Sequence, residues 1–278
     1  MRTRILLFAV LFMGPGLSLR AQEGATKYSG RQPGTPGKGI ESVVKATIIY
    51  DNYVHTEGTQ ADWGYSILIE GTGKTILFDT GTNPGIFRHN FEKLNLDAAS
   101  VDEVFISHEH GDHFGGLHEF LAMNGDVKVV VPNTFSSRFI KEYASECDGV
   151  ELIETPVEIC ENLYSSGVLG KAIPEQALVL NTASGLIVMT GCSHPGIITM
   201  LKEIKSTFNR NIYMVFGGFH LMDRSDREIV EIAGQMRDLG IVKCGATHCT
   251  GEKQIKIFRE VFGKDFVEMG TGNKLVFN

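Results

Sequence analysis

None of the five cysteines, Cys147, Cys160, Cys192, Cys244 and Cys249, forms a Cys-x-x-Cys pair, which excludes a zinc ribbon and a thioredoxin-type redox motif. Basic residues are also scarce. With 26 Lys and Arg against 33 Asp and Glu, the formal charge is −7 and no basic stripe is evident, so nucleic acid is not an expected partner. A membrane-spanning helix needs ~18 consecutive apolar residues. The run from Ile5 to Met13 supplies about half of that length. No short-period repeat marks a solenoid.

The opening "MRTRILLFAVLFMGPGLSLRAQ" places two arginines before the apolar run, then a Gly-Pro-Gly break and the small residue Ala21. This is the layout of a secretory signal over residues 1–21, and it predicts a secreted or periplasmic protein with no span left after cleavage. No cysteine lies near the cleavage point to carry a lipid. Cleavage removes Arg2, Arg4 and Arg20 but no acid, moving the formal charge from −7 to −10. In an oxidising compartment Cys147 and Cys160 are the expected bridge. Residues 22–42, rich in Gly, Pro, Ser and Lys, read as a flexible lead-in, and residues 43–278 as one α/β domain.

Within that domain "VVKATIIYD", "GYSILIEG" and "KTILFDTG" read as strands of one sheet, two of them joined through "GTGK". "PGIFRHNFEKLNL" carries Ile86, Phe87, Phe91 and Leu94 at helical spacing. Later strands are expected in "EVFIS", "DVKVVVP", "QALVLNT", "GLIVMTG", "NIYMVFGG", "IVKCGAT" and around "GTGNK", where Gly270 to Gly272 suggest a hairpin turn. Helices are expected in "TFSSRFIKEYASE", "PGIITMLKEIKSTF", "SDREIVEIAGQMRDLG" and "EKQIKIFREVFG", with Ser193 and Thr250 capping the second and fourth. The order predicts helices covering two packed sheets.

The stretch "SHEHGDHFGG" concentrates His108, His110, Asp112 and His113 in one loop after a strand. Imidazole nitrogens and a carboxylate at this spacing suit a divalent ion such as zinc. One loop leaves the coordination sphere open. His194, His220 and His248 each follow a strand-like run, as His108 does, and are candidates for the remainder. His55, His89 and His118 fit no such pattern. Asp51, Asn52, Asp62 and Trp63 flank early strands and are candidates to line the pocket, with hairpin and capping roles favoured for each.

"LFDTG", "SHEHGDHFGG", "GCSHPGI", "GGFH" and "THCTG" together resemble the metallo-β-lactamase fold superfamily, in the branch similar to the archaeal-type dihydropterin-methyl-ribofuranosyl-aminobenzene-phosphate synthases. The resemblance implies an αββα sandwich with a metal site along one edge of the paired sheets. It further implies that His108, His110 and His194 hold one metal, Asp112, His113 and His248 a second, and that Asp79 steadies the metal loop. Where relatives carry a metal-bridging aspartate, this chain reads Gly191-Cys192. Cys192 is then a thiolate ligand, a small buried residue, or a sign of ions joined only by solvent or of a weakly filled second site.

The expected activity is hydrolysis assisted by one or two Zn2+ ions, with Mn2+ or Fe2+ as alternatives. Metal-activated water would attack a small anionic substrate such as a phosphate ester, Asp112 would handle its proton, and His220 would contact substrate if it is not a ligand. Lactones, thioesters and β-lactams suit the same core. Di-iron redox chemistry and a non-catalytic metal-binding module are the other classes to separate from it.

Overall fold

The computed structural model describes residues 24–34 and 36–278; the expected signal, residues 1–21, lies outside them. The first sheet contains β1 (Ala25–Lys27), β2 (Val44–Tyr50), β3 (Ser66–Glu70), β4 (Ile76–Phe78), β5 (Glu103–Phe105), β6 (Lys128–Pro132) and β7 (Val150–Ile153). The second contains β8 (Val157–Cys160), β9 (Leu163–Ser165), β10 (Leu178–Thr182), β11 (Gly185–Thr190), β12 (Ile212–Gly218) and β13 (Lys243–Thr247). A last strand, β14 (Lys274–Phe277), returns to the first sheet, whose order is β1-β7-β6-β5-β4-β3-β2-β14; that of the second is β13-β12-β11-β10-β9-β8.

Helices α1 (Pro84–Lys93), α2 (Gly111–Phe114), α3 (Leu117–Met123) and α4 (Ser137–Tyr143) follow strands of the first sheet. The second sheet is followed by α5 (Ile197–Phe208), α6 (Asp226–Asp238) and α7 (Glu252–Phe262). Local chemistry starts several of them. Asn83 accepts from the Gly85 and Ile86 amides ahead of α1, and Ser225 forms a reciprocal capping box with Glu228 at α6.

Alternation within the strands builds the layers. Ile67 and Ile69 of β3 face the second sheet, meeting Leu178, Leu180, Met189 and Phe216, whereas Leu68 turns outward to the cluster holding Phe87, Phe91 and Phe120. The outer face of the second sheet is closed by Met200, Leu201 and Phe208 of α5, Met236 of α6 and Phe258 of α7. Each such fully buried side chain contributes about 1.5–3 kcal/mol of transfer free energy. The expected αββα order follows, with one apolar layer between the sheets and one beneath each set of helices.

Several expectations are corrected. The segment 22–42 is not a free lead-in where it is described: β1 pairs in parallel with β7, and Tyr28 and Ile40 are buried in the layer between the sheets. Two apolar side chains suffice to tie down a Gly- and Pro-rich segment. Cys147 and Cys160 are both free, because Cys147 packs under the helices of the first sheet and Cys160 between the sheets, on opposite sides of that sheet. The turn at Gly270 to Gly272 is no hairpin: Thr271 bridges in parallel to Val54, and β14 pairs with β2. Strands β7, β8 and β9 fall in "VELIETPVEICENLYS", where acidic residues and Pro156 interrupt the apolar pattern.

Candidate metal centre

Parallel strands bring the candidate residues to one edge. β11, β12 and β13 lie side by side in parallel register, Thr190 beside Gly217 and Gly218 beside Thr247, so the turns carrying His194, His220 and His248 leave the sheet together. In the facing sheet β4 and β5 are also parallel neighbours and lead into Asp79 and the 107–113 loop. The carboxyl ends of such strands are where α/β folds place ligand sites.

Close approach at this edge depends on Gly191 and Gly218. A Cβ at Gly191 would collide with Ser107 of the facing sheet, and one at Gly218 with the Gly191 carbonyl oxygen and Cys249 Sγ. Backbone strain concentrates here too. Asp79, Ser193, His220 and His248 have φ of 54°, 64°, 50° and 48°, and the remaining non-glycine residues with positive φ among those described are all Asn. Four non-Asn residues in the left-handed region, each costing about 1–3 kcal/mol, cluster at one edge because surrounding contacts hold them there.

Two groups of donors meet at this edge. His108, His110 and His194 form one, and Asp112, His113, Cys192 and His248 the other, with ligand atoms in each lying within 4.8 Å of one another. Within the second group Cys192 Sγ is 3.1 Å from His113 Nε2 and 3.5 Å from His248 Nε2, while Asp112 Oδ2 is 3.6 Å and 3.4 Å from the same nitrogens. Ligands about 2.0–2.3 Å from a tetrahedral ion lie about 3.3–3.8 Å apart. The observed spacing fits such an ion.

Hydrogen bonds on the far side of each ring fix the tautomers. Asp79 Oδ2 accepts from His113 Nδ1 at 2.6 Å, and its two oxygens also accept from the Ser107 amide and hydroxyl. Since Ser107 Oγ donates to Asp79, it accepts from His108 Nδ1 at 2.9 Å. Asn52 Oδ1 accepts from His248 Nδ1 at 2.9 Å. In all three imidazoles Nε2 is left as the ligating atom, the arrangement that metal-bound histidines require. In the first group His108 Nε2 faces His110 Nδ1 at 3.1 Å, and His194 Nε2 is buried without a hydrogen-bond partner. An unpaired buried nitrogen costs about 1–3 kcal/mol, and a cation shared with its two neighbours would remove that cost.

Electrostatics agree with this arrangement. Burial, reinforced by His113 and His194, holds the His108 imidazole well below its usual pKa, and burial with His220 and His110 brings His194 down to about 3. Neutral imidazole is the ligating form. Burial alone would raise the Asp112 carboxyl, but His248 and His113 outweigh it and keep Asp112 ionised well below the usual carboxylate range. His113 is the exception: burial opposes its protonation, yet Asp79 beside it lifts that pKa to about 9, so an ion would have to displace its Nε2 proton.

His220 joins neither group. It stands exposed beside His194, ring centroids 4.2 Å apart, and within hydrogen-bond reach of Cys249. His118 bonds Glu142 and Glu146 on the surface, and His89 bonds the Gly58 carbonyl. Ser193 and Thr250 do not cap helices: Ser193 Oγ donates to the Gly218 carbonyl, Thr250 Oγ1 accepts from the Phe219 amide, and Gly196 and Gly251 occupy the cap positions.

Two supporting residues, Ser107 and Glu175, escaped the sequence reading, and two more, Asn52 and Trp63, take the pocket position it held second to turn and cap roles. Ser107 and Asn52 orient ligands as described, and Trp63, 44% exposed, donates from Nε1 to Asp112 Oδ2 at 2.8 Å. Glu175, wholly buried, accepts from the Cys192, Ser193 and His194 amides at 2.9 Å each and so shapes the loop bearing two donors. A lone Glu ahead of a strand carries no signal of amides 17 to 19 residues away.

Comparison with known proteins agrees with the fold. Residues 63–145 match the family described as Metallo-beta-lactamase superfamily. A protein of Methanocaldococcus jannaschii, named 7,8-dihydropterin-6-methyl-4-(beta-D-ribofuranosyl)-aminobenzene-5'-phosphate synthase, is 30% identical over 86% of this chain and 98% of its own. The crystal structure of Tm1679, described as a metal-dependent hydrolase of the beta-lactamase superfamily, superposes with a TM-score of 0.69 at 30% identity, over 84% of this chain and 98% of that one. Bacillus subtilis YhfI, a metallo-beta-lactamase fold protein, shares the fold at 15% identity, with a TM-score of 0.62 over 84% of this chain and 99% of its own. By sequence kinship over nearly its whole described length, and by a fold that gathers histidines at one sheet edge, this chain belongs to the metallo-β-lactamase superfamily.

Proposed function

We propose that this protein is an exported, zinc-dependent binuclear metallohydrolase acting on a phosphate ester or a related anionic small molecule. The observation that carries the reading is the pair of adjoining donor groups, one of three histidines and one of mixed nitrogen, oxygen and sulfur donors. His108, His110 and His194 would hold one ion, and Asp112, His113, Cys192 and His248 the other. Imidazoles with a thiol favour zinc over Mn2+ or Fe2+. Ions bound there would acidify water toward neutrality and polarise a substrate oxygen.

The remaining chemistry belongs to the chain. Asp112, held ionised and oriented through Oδ2 by the Trp63 N–H, is the base that takes a proton from the attacking water. His220, exposed at the rim with its pKa raised by its hydrogen bond to Cys249, donates to an anionic oxygen of the substrate whenever it is not itself a metal ligand. The relative in Methanocaldococcus jannaschii is named for a compound bearing a 5'-phosphate, which supports a phosphate-containing substrate class. That relative is also called a synthase, which favours, as a second reading, transfer to an acceptor other than water.

Metal analysis of the purified protein, with hydrolysis of phosphodiester, phosphomonoester, lactone and cephalosporin reporters by wild type and His108→Ala, tests the proposal. Zinc at two equivalents or more, with phosphate-ester turnover lost in the variant, is the expected result. Equal background rates in both proteins across the panel would overturn hydrolysis of these classes. Turnover only with an added acceptor would favour the second reading.

A further inference from the structure

The sulfur side of the site extends beyond the two donor groups. Cys192, His220 and Cys249 form a third cluster whose ligand atoms lie within 4.8 Å of one another. His220 and Cys249 belong to neither of the other groups. The three residues leave the ends of adjacent parallel strands: Cys192 after β11, His220 after β12 and Cys249 after β13.

Several features point to a built arrangement. Cys192 and Cys249 are each 2% exposed, so both thiols have been withdrawn from water. Cys249 Sγ lies within hydrogen-bond reach of the Cys192 thiol and of His220, and 3.7 Å from the Cys192 carbonyl oxygen. Gly218 lies against both Cys249 Sγ and the His248 ring, where any side chain would displace them. His220 and His248, which bracket the cluster, both hold left-handed backbone, so the chain bears strain on either side of it. His220 is exposed and leaves an entry path from solvent.

We propose that Cys192, His220 and Cys249 form a third metal position, selective for a thiophilic d10 cation such as Zn2+ or Cd2+, with Cys192 as a thiolate shared with the neighbouring four-donor group. Two thiolates and one imidazole are a soft donor set, unlike the all-histidine group, and their two negative charges neutralise a dication in a buried setting. Tetrahedral ligands lie about 3.3–3.8 Å apart, so the cluster closes on an ion through side-chain adjustment of about 1 Å. Cys192 loses its thiol proton to the ion of the four-donor group, so loading the third position releases the Cys249 thiol proton to solvent as two metal–sulfur bonds form, with no electron transferred. The proposal goes beyond hydrolysis, because its donors are counted by metal stoichiometry and not by turnover.

The test is titration of the metal-stripped, reduced full chain with Cd2+, following thiolate-to-metal charge-transfer absorption and bound metal together. Wild type is expected to take up about three equivalents, and Cys249→Ser about two, with the charge-transfer amplitude roughly halved. His220→Asn, which changes an exposed position, should also lose about one equivalent while keeping wild-type circular dichroism. Equal stoichiometry and amplitude in wild type and both variants would overturn the proposal. So would a Cys192–Cys249 disulfide in the protein as isolated, detected by peptide mass mapping. Retention of only about one equivalent by His108→Ala, with the Cys249-dependent charge-transfer bands intact, would count against the binuclear reading and leave this one standing.

Discussion

Each half of the molecule devotes one wholly buried carboxylate to its share of the ligands, and the two do it differently. Asp79, in the first half, accepts from the Ser107 amide, the Ser107 hydroxyl and His113 Nδ1, so it touches a ligand ring directly. Glu175, in the second half, accepts only backbone amides, those of Cys192, Ser193 and His194. One carboxylate orients a ring and its tautomer; the other shapes a loop and lets its side chains follow. A ligand cluster compact in sequence can be steadied through side chains, whereas ligands on separate strand ends need their backbone fixed first.

The largest expected effect removes ligands from both halves. His108→Ala and His194→Ala draw on different sheets but empty the same three-histidine group. Each should lower hydrolytic turnover by about 10³-fold or more, since several kcal/mol of charge stabilisation is lost. If His194→Ala retained most of its activity, the second half would contribute through Cys192 and His248 and not through the three-histidine group.

Next come the carboxylates themselves. Asp79→Asn and Glu175→Gln each keep the shape and remove a charge that accepts three hydrogen bonds. Both should weaken metal binding by about 10–100-fold, the usual effect of changing a group that supports a ligand. Competition with a chelator measures this directly. Asp79→Asn should act mainly on the group containing His113. Glu175→Gln, by loosening a loop that carries Cys192 and His194, should weaken both groups together. Equal patterns in the two variants would erase the distinction between ring control and loop control.

A smaller effect probes the contact between the halves. Gly191→Ala places a methyl group against Ser107, the residue that links Asp79 to His108. Overpacking of this kind costs about 1–3 kcal/mol. Chemical denaturation of the metal-free protein should show it, with metal affinity falling in the same variant. Unchanged stability would mean that the sheets separate at this edge more readily than their packing implies.

The same asymmetry decides what could be read from the amino-acid order. His108, His110, Asp112 and His113 were legible because they are crowded into one loop, and His194 and His248 because each closes an apolar strand before a turn. Their partition into groups came from the family resemblance alone, since it depends on which strands are neighbours and which sheet faces which. Glu175 left no local trace. Ser193 and Thr250 look like helix caps, but their hydroxyls serve the joints between strand ends, where Gly218 and Phe219 supply the partners. The layered fold was visible in the alternating strands; β1 and β7 to β9 were not, because pairing and packing override weak or interrupted local patterns there.

His118 sharpens the contrast from outside the edge and carries the smallest expected effect. Burial, the largest single influence, works against its protonation, but the hydrogen bonds and charges of Glu146 and Glu142, which accept from its ring, together outweigh it and raise its pKa above 6.5, opposite to the depressed values of His108 and His194. A histidine whose pKa is raised on folding contributes its stability in full below about 6.5 and loses it as pH rises through the folded value. The side chain is about half exposed, so solvent screening limits the contribution to about 0.5 kcal/mol. His118→Gln should therefore lower the melting temperature of the metal-free protein by about 1 °C near pH 5.5 and by nothing measurable near pH 9. A difference that grew with pH would place His118 with the depressed histidines of the site, and the division between edge and surface histidines would fail.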